Sequence, residues 1–412
     1  MQRYLIITAI ALAVIGLGVG AYLYFSAPSA TITTAPGTGV SFPTAEQGAA
    51  GTGTTGTGGI ATGISSGGTP VTISARLVQI SAGPVVPGVA VVDSKPALTR
   101  ATSTATSTPA VGEVVVTYIE RMSGNVFTYL TRAKTLTRIN NKTVPGIQSA
   151  VWLPNASFAF VRYLSDDTFS TINTYALAAT STSGFFLSQN ISDISVSATN
   201  ILTLVSGVNG SVGSIARTDG SKPSQVFTTP LTSIRASFAG KGQYLVFSKP
   251  SATLTGDAFL VDGTGHFSRI AGPLTGLVAL ASPQGKWVLV SYVQGSAMQM
   301  QLINTVTSAI VSLPVATLAD KCAWAADDSS IYCGVPVNPP VATYPDDWYQ
   351  GAVQFSDRIW KIDVAGRYAQ LVLDFSESNK GGLDAYALAL NPLATTLVFI
   401  NKNDGSLWSY ML

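Results

Sequence analysis

A chain of 412 residues, 46% of them hydrophobic, can bury a sizeable core, yet only 11% of its residues are charged, well under the usual quarter or so. Its 23 basic and 21 acidic residues leave a net charge of +2 with no basic cluster, so nothing points to a nucleic-acid partner. One histidine, His266, and two cysteines, Cys322 and Cys333, exclude a zinc site of four cysteines or three histidines.

In chain order, the first predicted element is an uncharged run over residues 5–25, LIITAIALAVIGLGVGAYLYF. At about 1.5 Å per residue a helix of this length spans roughly 30 Å, the thickness of a bilayer core. Tyr4, Tyr22 and Tyr24 sit near its ends, where amphipathic rings prefer to lie. Arg3 on the short side predicts a cytoplasmic N-terminus and an exported remainder. The run is longer than the apolar region of a cleaved signal peptide, and Pro28 interrupts a good cleavage site. Residues 1–26 are therefore expected to be a cytoplasmic stub and a single transmembrane anchor helix.

Residues 27–74 are mostly Gly, Thr, Ser, Ala and Pro, with Glu46 the only charge. Such a stretch cannot offset its ordering entropy and is expected to be a disordered tether. GTGTTG at 51–56 fits a dinucleotide-binding pattern, and GISSG at 63–67 fits a nucleophile elbow. Both patterns need a strand before them and a helix after them, which this tract does not supply.

From residue 75 onward, short β-branched and aromatic runs broken by Gly, Asp, Asn and Pro predict an all-β domain. A short apolar segment, a turn and a second, strongly apolar run recur as AVWLPNASFAFVRY, ISVSATNILTLVSG, ASFAGKGQYLVFS, LASPQGKWVLVSY, CAWAADDSSIYCGV and LALNPLATTLVFI. The last apolar residues before the turns are Trp152, Val196, Phe238, Ala281, Trp324 and Leu390, spaced by 44, 42, 43, 43 and 66. Two further strands complete each unit, and four strands per forty-odd residues make a propeller blade. One lone strand, ARLVQIS, opens the domain, while the last unit stops one strand short at Leu412. The first should pair with the last, at 407–412, and so hide an otherwise open edge. PVVPGVAVV, VVVTYIER, NVFTYLT and TLTRIN make one more blade, its first two strands split by a flexible insertion, TRATSTATSTPAVGE. The fold class is thus an all-β, seven-bladed β-propeller of four-stranded antiparallel blades over 75–412. Its N-terminal strand closes the last blade, and one transmembrane helix precedes it.

The turn segments ASPQGKWVLV and WAADDSSIYC resemble the repeats of WD-repeat-like and TolB-like β-propellers, and of membrane-anchored bacterial propeller proteins of unassigned function. The resemblance covers about 76–412 and implies a module that binds other proteins, although a shared fold does not fix function.

No catalytic constellation, cofactor motif or metal site is predicted. His266 lies in VDGTGHFSR at a turn, without a partner for general-base chemistry. NKNDG at 401–405 is similar to a calcium loop but lacks the downstream glutamate, which leaves a hairpin turn. Cys322 and Cys333 flank a turn centred on Asp327-Asp328, which places them opposite each other. In an exported domain that pair is expected to form a structural disulfide. The step of 66 implies an insertion in the sixth repeat, VPVNPPVATYPDDWYQGAVQFSDR, between its second and third strands. Its tip carries Tyr344, Asp346, Asp347, Trp348 and Tyr349. These residues are the candidate recognition loop, since aromatic anchors among polar groups typify binding hot spots. The competing reading is that Trp348 and Tyr349 fold back to plug the channel or cover a neighbouring blade. The functional expectation is a membrane-tethered, extracytoplasmic interaction scaffold that binds another envelope protein and is not an enzyme. The alternative is a ligand-binding or enzymatic propeller that uses its central funnel, with inward-pointing carboxylates.

Overall fold

The computed structural model describes residues 76–94, 112–142, 144, 146–165, 168–378 and 382–412. The expected transmembrane segment, the linker with its two glycine-rich patterns and most of the threonine-rich insertion lie outside the described residues. Among the described residues no helix is long and apolar enough to cross a membrane.

The strands form seven antiparallel sheets of four. Blades 1 to 6 each use four consecutive strands, over 90–140, 147–186, 191–229, 234–275, 278–312 and 322–374. Blade 7 takes three strands from 385–411 and its outer strand, Leu77–Gln79, from the start of the domain. First strands lie innermost, and they end at Trp152, Val196, Phe238, Ala281, Trp324 and Leu390, the six residues that mark the repeat.

The strongly apolar run in each repeat is the second strand. Blades stack face to face, so this strand is covered on both sides and carries a continuous apolar run instead of an alternation. In blade 7 all six residues of Thr396–Asn401 are buried. Ala159, Phe160 and Val161 in blade 2 and Val288, Leu289 and Val290 in blade 5 have no exposure at all. Each such apolar side chain contributes about 1.5–3 kcal/mol when fully buried. Outer strands face solvent, and Thr135–Asn140 of blade 1 exposes four of its six side chains.

Neighbouring blades are also bonded through their turns. Asp328 accepts from Ser282 Oγ (2.7 Å) and from the Gln284 N–H (3.0 Å), which links blade 6 to blade 5. At the seam, Leu77, Val78 and Gln79 pair with Tyr410, Ser409 and Trp408. The Leu407 N–H donates to Ser81 Oγ (2.8 Å), and Asn391 Nδ2 donates to Asp93 of blade 1 (2.7 Å). In blade 6, Cys322 lies opposite Cys333 and Trp324 opposite Ile331, and the two sulfurs are bonded at 2.13 Å.

Candidate functional site

The two ends of the central channel are built from different loops. One rim carries the turns between first and second strands. The other carries the second-to-third and fourth-to-first connections, among them the insertion of blade 6.

That insertion folds down onto the rim. Pro339, Pro340 and Pro345 restrict its path, and it ends in a short helix, Asp346–Gln350, stopped by Gly351 at φ 78°. Trp348 is 2% exposed and Tyr344 5%. Trp348 stacks on Phe355 with centroids 6.0 Å apart, and the pair packs with Met298 and Leu318 from the neighbouring blade and its connection. Asp347 accepts from the Thr343 N–H (2.7 Å) within the loop, while Asp346 accepts from the Ala252 N–H (3.0 Å) in blade 4. Tyr349 remains 38% exposed and donates its hydroxyl to Asp320 (2.7 Å), which is paired with Arg235 of blade 4 (2.8 Å). Of the five residues of the candidate recognition loop, the two strongest apolar anchors, Tyr344 and Trp348, are therefore in the interior. The loop packs as a lid because its aromatic rings find a ready apolar bed on blades 5 and 6. The competing fold-back reading describes Trp348, whereas Tyr349 keeps one face open.

Under the lid lies a charged cluster that the sequence did not reveal. Lys321, just before the inner strand of blade 6, is fully buried. Its Nζ donates to Asp357 (2.8 Å) and to Asp384, whose side chains have no exposure. Trp348 Nε1 and the Phe355 N–H donate to the second oxygen of Asp384, at 2.9 and 3.0 Å. The Trp348 ring lies 5.0 Å from the Nζ of both Lys321 and Lys402. Burial pushes the Asp357 carboxyl up to about 6, against the pull of Lys321, with Asp384 adding to the rise. Burial likewise holds the Lys402 ammonium below its usual value.

At the opposite end, where residues 95–111 of blade 1's first-to-second connection lie outside the described residues, the described walls form an uncharged funnel. A funnel of about 520 Å³ is walled by residues of blades 2 to 7, and an adjoining recess of about 270 Å³ shares Pro154, Pro283 and Trp324 with it. Among the described lining residues none is ionisable. The mouth has a regular cause. The residue two places after each repeat-marking position is Pro154, Ala198, Gly240, Pro283, Ala326 or Pro392, and all six line the funnel or its recess. Gly and Pro suit such turns by their backbone geometry, and with two alanines they give six blades a collar of small apolar groups. Five of the six are exposed, Gly240 being half-buried. In the sequence this position is uncharged in blades 2 to 7, whereas blade 1, whose inner strand ends at Asp93, has Lys95 there. Trp152 and Trp324 pack between blades, donating to the backbone oxygens of Gly88 (3.2 Å) and Leu280 (3.4 Å). A further cavity of about 490 Å³ lies at the seam of blades 7 and 1, lined among others by Asp93, Arg132, Leu393 and Met411.

His266 lies at a turn with Ser268 Oγ 3.4 Å from its ring nitrogen, and it is not among the residues that line the funnel. NKNDG forms the hairpin turn between the second and third strands of blade 7, where Asn401 Nδ2 donates to Asp404 (2.9 Å). Among the described residues no group of three or more His, Cys, Asp or Glu side chains is placed to hold a metal ion.

No protein-family model matches the chain, and no curated protein matches it. Solved structures do. An oligogalacturonate lyase from Vibrio parahaemolyticus matches 73% of this chain over 86% of its own, at 8% identity and a TM-score of 0.52. Hydrazine synthase from Kuenenia stuttgartiensis matches 84% of this chain over 99% of that one, at 10% identity and a TM-score of 0.50. TolB from Acinetobacter baumannii matches 65% of this chain over 66% of its own, at 12% identity and a TM-score of 0.44. These likenesses concern the fold alone. The propeller implied by the turn segments is the fold this chain has.

Proposed function

We propose that this chain is a non-catalytic binding propeller, tethered to a membrane by residues 5–25, whose open funnel receives an apolar group of another envelope protein. The observation that carries the reading is the uncharged funnel with its collar of Pro154, Ala198, Gly240, Pro283, Ala326 and Pro392. An apolar side chain gains about 25 cal/mol per Å² buried there, and no charge in the described wall opposes it. The same wall offers no general acid or base, which favours binding over turnover. The apolar run and Arg3 support a tethered, exported domain, and the disulfide suits such a compartment.

The test is site-directed photo-crosslinking in intact cells. A photo-reactive residue replacing Leu388, in the funnel wall, should capture one partner, and one replacing Tyr368 on an outer strand should not. Adding Ala326→Arg should abolish the capture. Equal labelling from both positions, or capture that survives Ala326→Arg, would sink the reading. A second reading has one observation in its favour: about 520 Å³ is also the size of a pocket for a small apolar molecule. Native mass spectrometry of the purified protein would then carry a bound small molecule that Ala326→Arg removes.

A further inference from the structure

Three features meet at the cluster beneath the lid. Lys321 Nζ is fully buried between two fully buried carboxylates, and the half-buried Lys402 ammonium lies across the Trp348 ring from them. Asp384 Oδ2 accepts two N–H donors, Trp348 Nε1 and the Phe355 amide, at 2.9 and 3.0 Å, while its Oδ1 contacts Nζ. Asp357 Oδ1 is buried with no hydrogen-bond partner among the described residues, although its Oδ2 accepts from Lys321 (2.8 Å) and from the Ala385 N–H (2.6 Å). A buried ion pair recovers its desolvation cost only when its groups are well satisfied, and a bare carboxylate oxygen departs from that.

We propose that Lys321 and Asp384 become joined inside the folded protein by an amide bond between Nζ and Cγ, with Asp357 carrying the protons. Asp357 takes a proton from the Lys321 ammonium, and the freed lone pair attacks Cγ of Asp384. Negative charge gathers on Oδ2, where the Trp348 and Phe355 N–H groups already point, in the manner of an oxyanion hole. Both protons lost by Nζ pass through Asp357 to Oδ1, which leaves as water. One C–N bond forms, one C–O bond breaks, Asp357 ends as it began, and no oxidant, reductant or co-reactant is consumed. An ammonium and a carboxylate vanish together from a pocket that penalises both. Fixed proximity of the reacting groups supplies much of the driving force in such steps.

Asp384 is the acceptor because it alone has two N–H donors on one oxygen and Nζ against the other. Asp357 is the carrier because its Oδ1 is free to hold a proton. Burial brings this carboxyl up to about 6, where it can both take and return a proton near neutral pH. The bond would tie the start of blade 6 to the start of blade 7 and close a loop of 63 residues beneath the lid, restricting the unfolded chain.

Peptide mapping of the full-length protein decides this. The sample is reduced and alkylated first, so that Cys322 and Cys333 do not confuse the masses. Trypsin does not cut after a modified lysine, so peptide 287–358 should appear joined to 381–402, one water lighter than their sum. Fragmentation should place the link between Lys321 and Asp384. Asp357→Asn keeps the shape but cannot carry the proton, and should yield 287–321, 322–358 and 381–402 as separate peptides of full mass. Separate full-mass peptides from the wild type would overturn the proposal. So would a water-loss link that stays within 287–358, which would place the bond on Asp357, or an unchanged link in Asp357→Asn.

Discussion

The lidded and open ends of the channel come from the same repeat and differ in almost every physical respect. At the lidded end an insertion brings Trp348 and Tyr344 down over Lys321, Asp357 and Asp384, and the result is dense, charged and closed. At the open end, equivalent turns put small apolar residues around an uncharged funnel. The cause lies in which connections can vary. The first-to-second turns of blades 2 to 7 are short, and that of blade 5 is held to blade 6 by the bond from Ser282 to Asp328. Longer connections stand at both rims, between the first and second strands of blade 1 (94–113) and between the second and third strands of blade 6 (337–356), where Asp346 bonds back to blade 4.

The comparison can be broken first at the seam on which both ends depend. Deleting residues 409–412 removes Ser409 and Tyr410, the register partners of Val78 and Leu77. The ring should then lose its cooperative melting as a whole. A truncated protein that melts like the intact one would show that closure does not hold the ring together.

Trp348→Ala attacks the lid alone. Emptying a buried tryptophan site costs about 3–5 kcal/mol, so the denaturation midpoint should fall well below that of the wild type. Capture at the funnel should persist, because Met298, Leu318 and Phe355, which pack with this ring, do not line the funnel. Loss of capture together with stability would mean that the two ends are coupled.

The lidded end should also respond to pH where the open end does not. Asp357 holds its proton up to about 6 in the folded protein, whereas an unfolded aspartate releases it near about 3.9. Between those values the folded state binds more protons, so this residue's contribution is greatest at low pH and is lost as pH rises through about 6. Urea titrations across that window should show the decline, and Asp357→Asn should flatten it. A wild-type curve parallel to that of Asp357→Asn would remove Asp357 as its source.

The smallest structural effect is expected at the collar. Ala326 is exposed in its turn, so Ala326→Arg should change stability by no more than about 0.5 kcal/mol. It should nevertheless abolish funnel capture. A large fall in melting temperature would show that the collar is packing and not a binding surface.

Much of the fold was legible in the sequence because strand pairing within a blade is local and periodic. The six residues that mark the repeat each end an inner strand, and the doubly covered second strands explain the apolar runs that made the period visible. The opposition of Cys322 and Cys333 followed from one turn, and the closing strand from counting an unpaired run at each end. The candidate site was far less legible. Lys321 reads as an ordinary surface lysine until its partners, 36 and 63 residues away, are brought to it. Whether Trp348 faced solvent or the interior depended on apolar ground offered by Met298 and Leu318, which no local pattern announces. The sequence alone determined the number of blades, their order and their closure, because those rest on short-range hydrogen-bonded pairing repeated along the chain. Only the tertiary structure decided that the insertion of blade 6 packs down over Lys321, Asp357 and Asp384, because that depends on where a non-repeating loop finds its lowest free energy among surfaces from several blades.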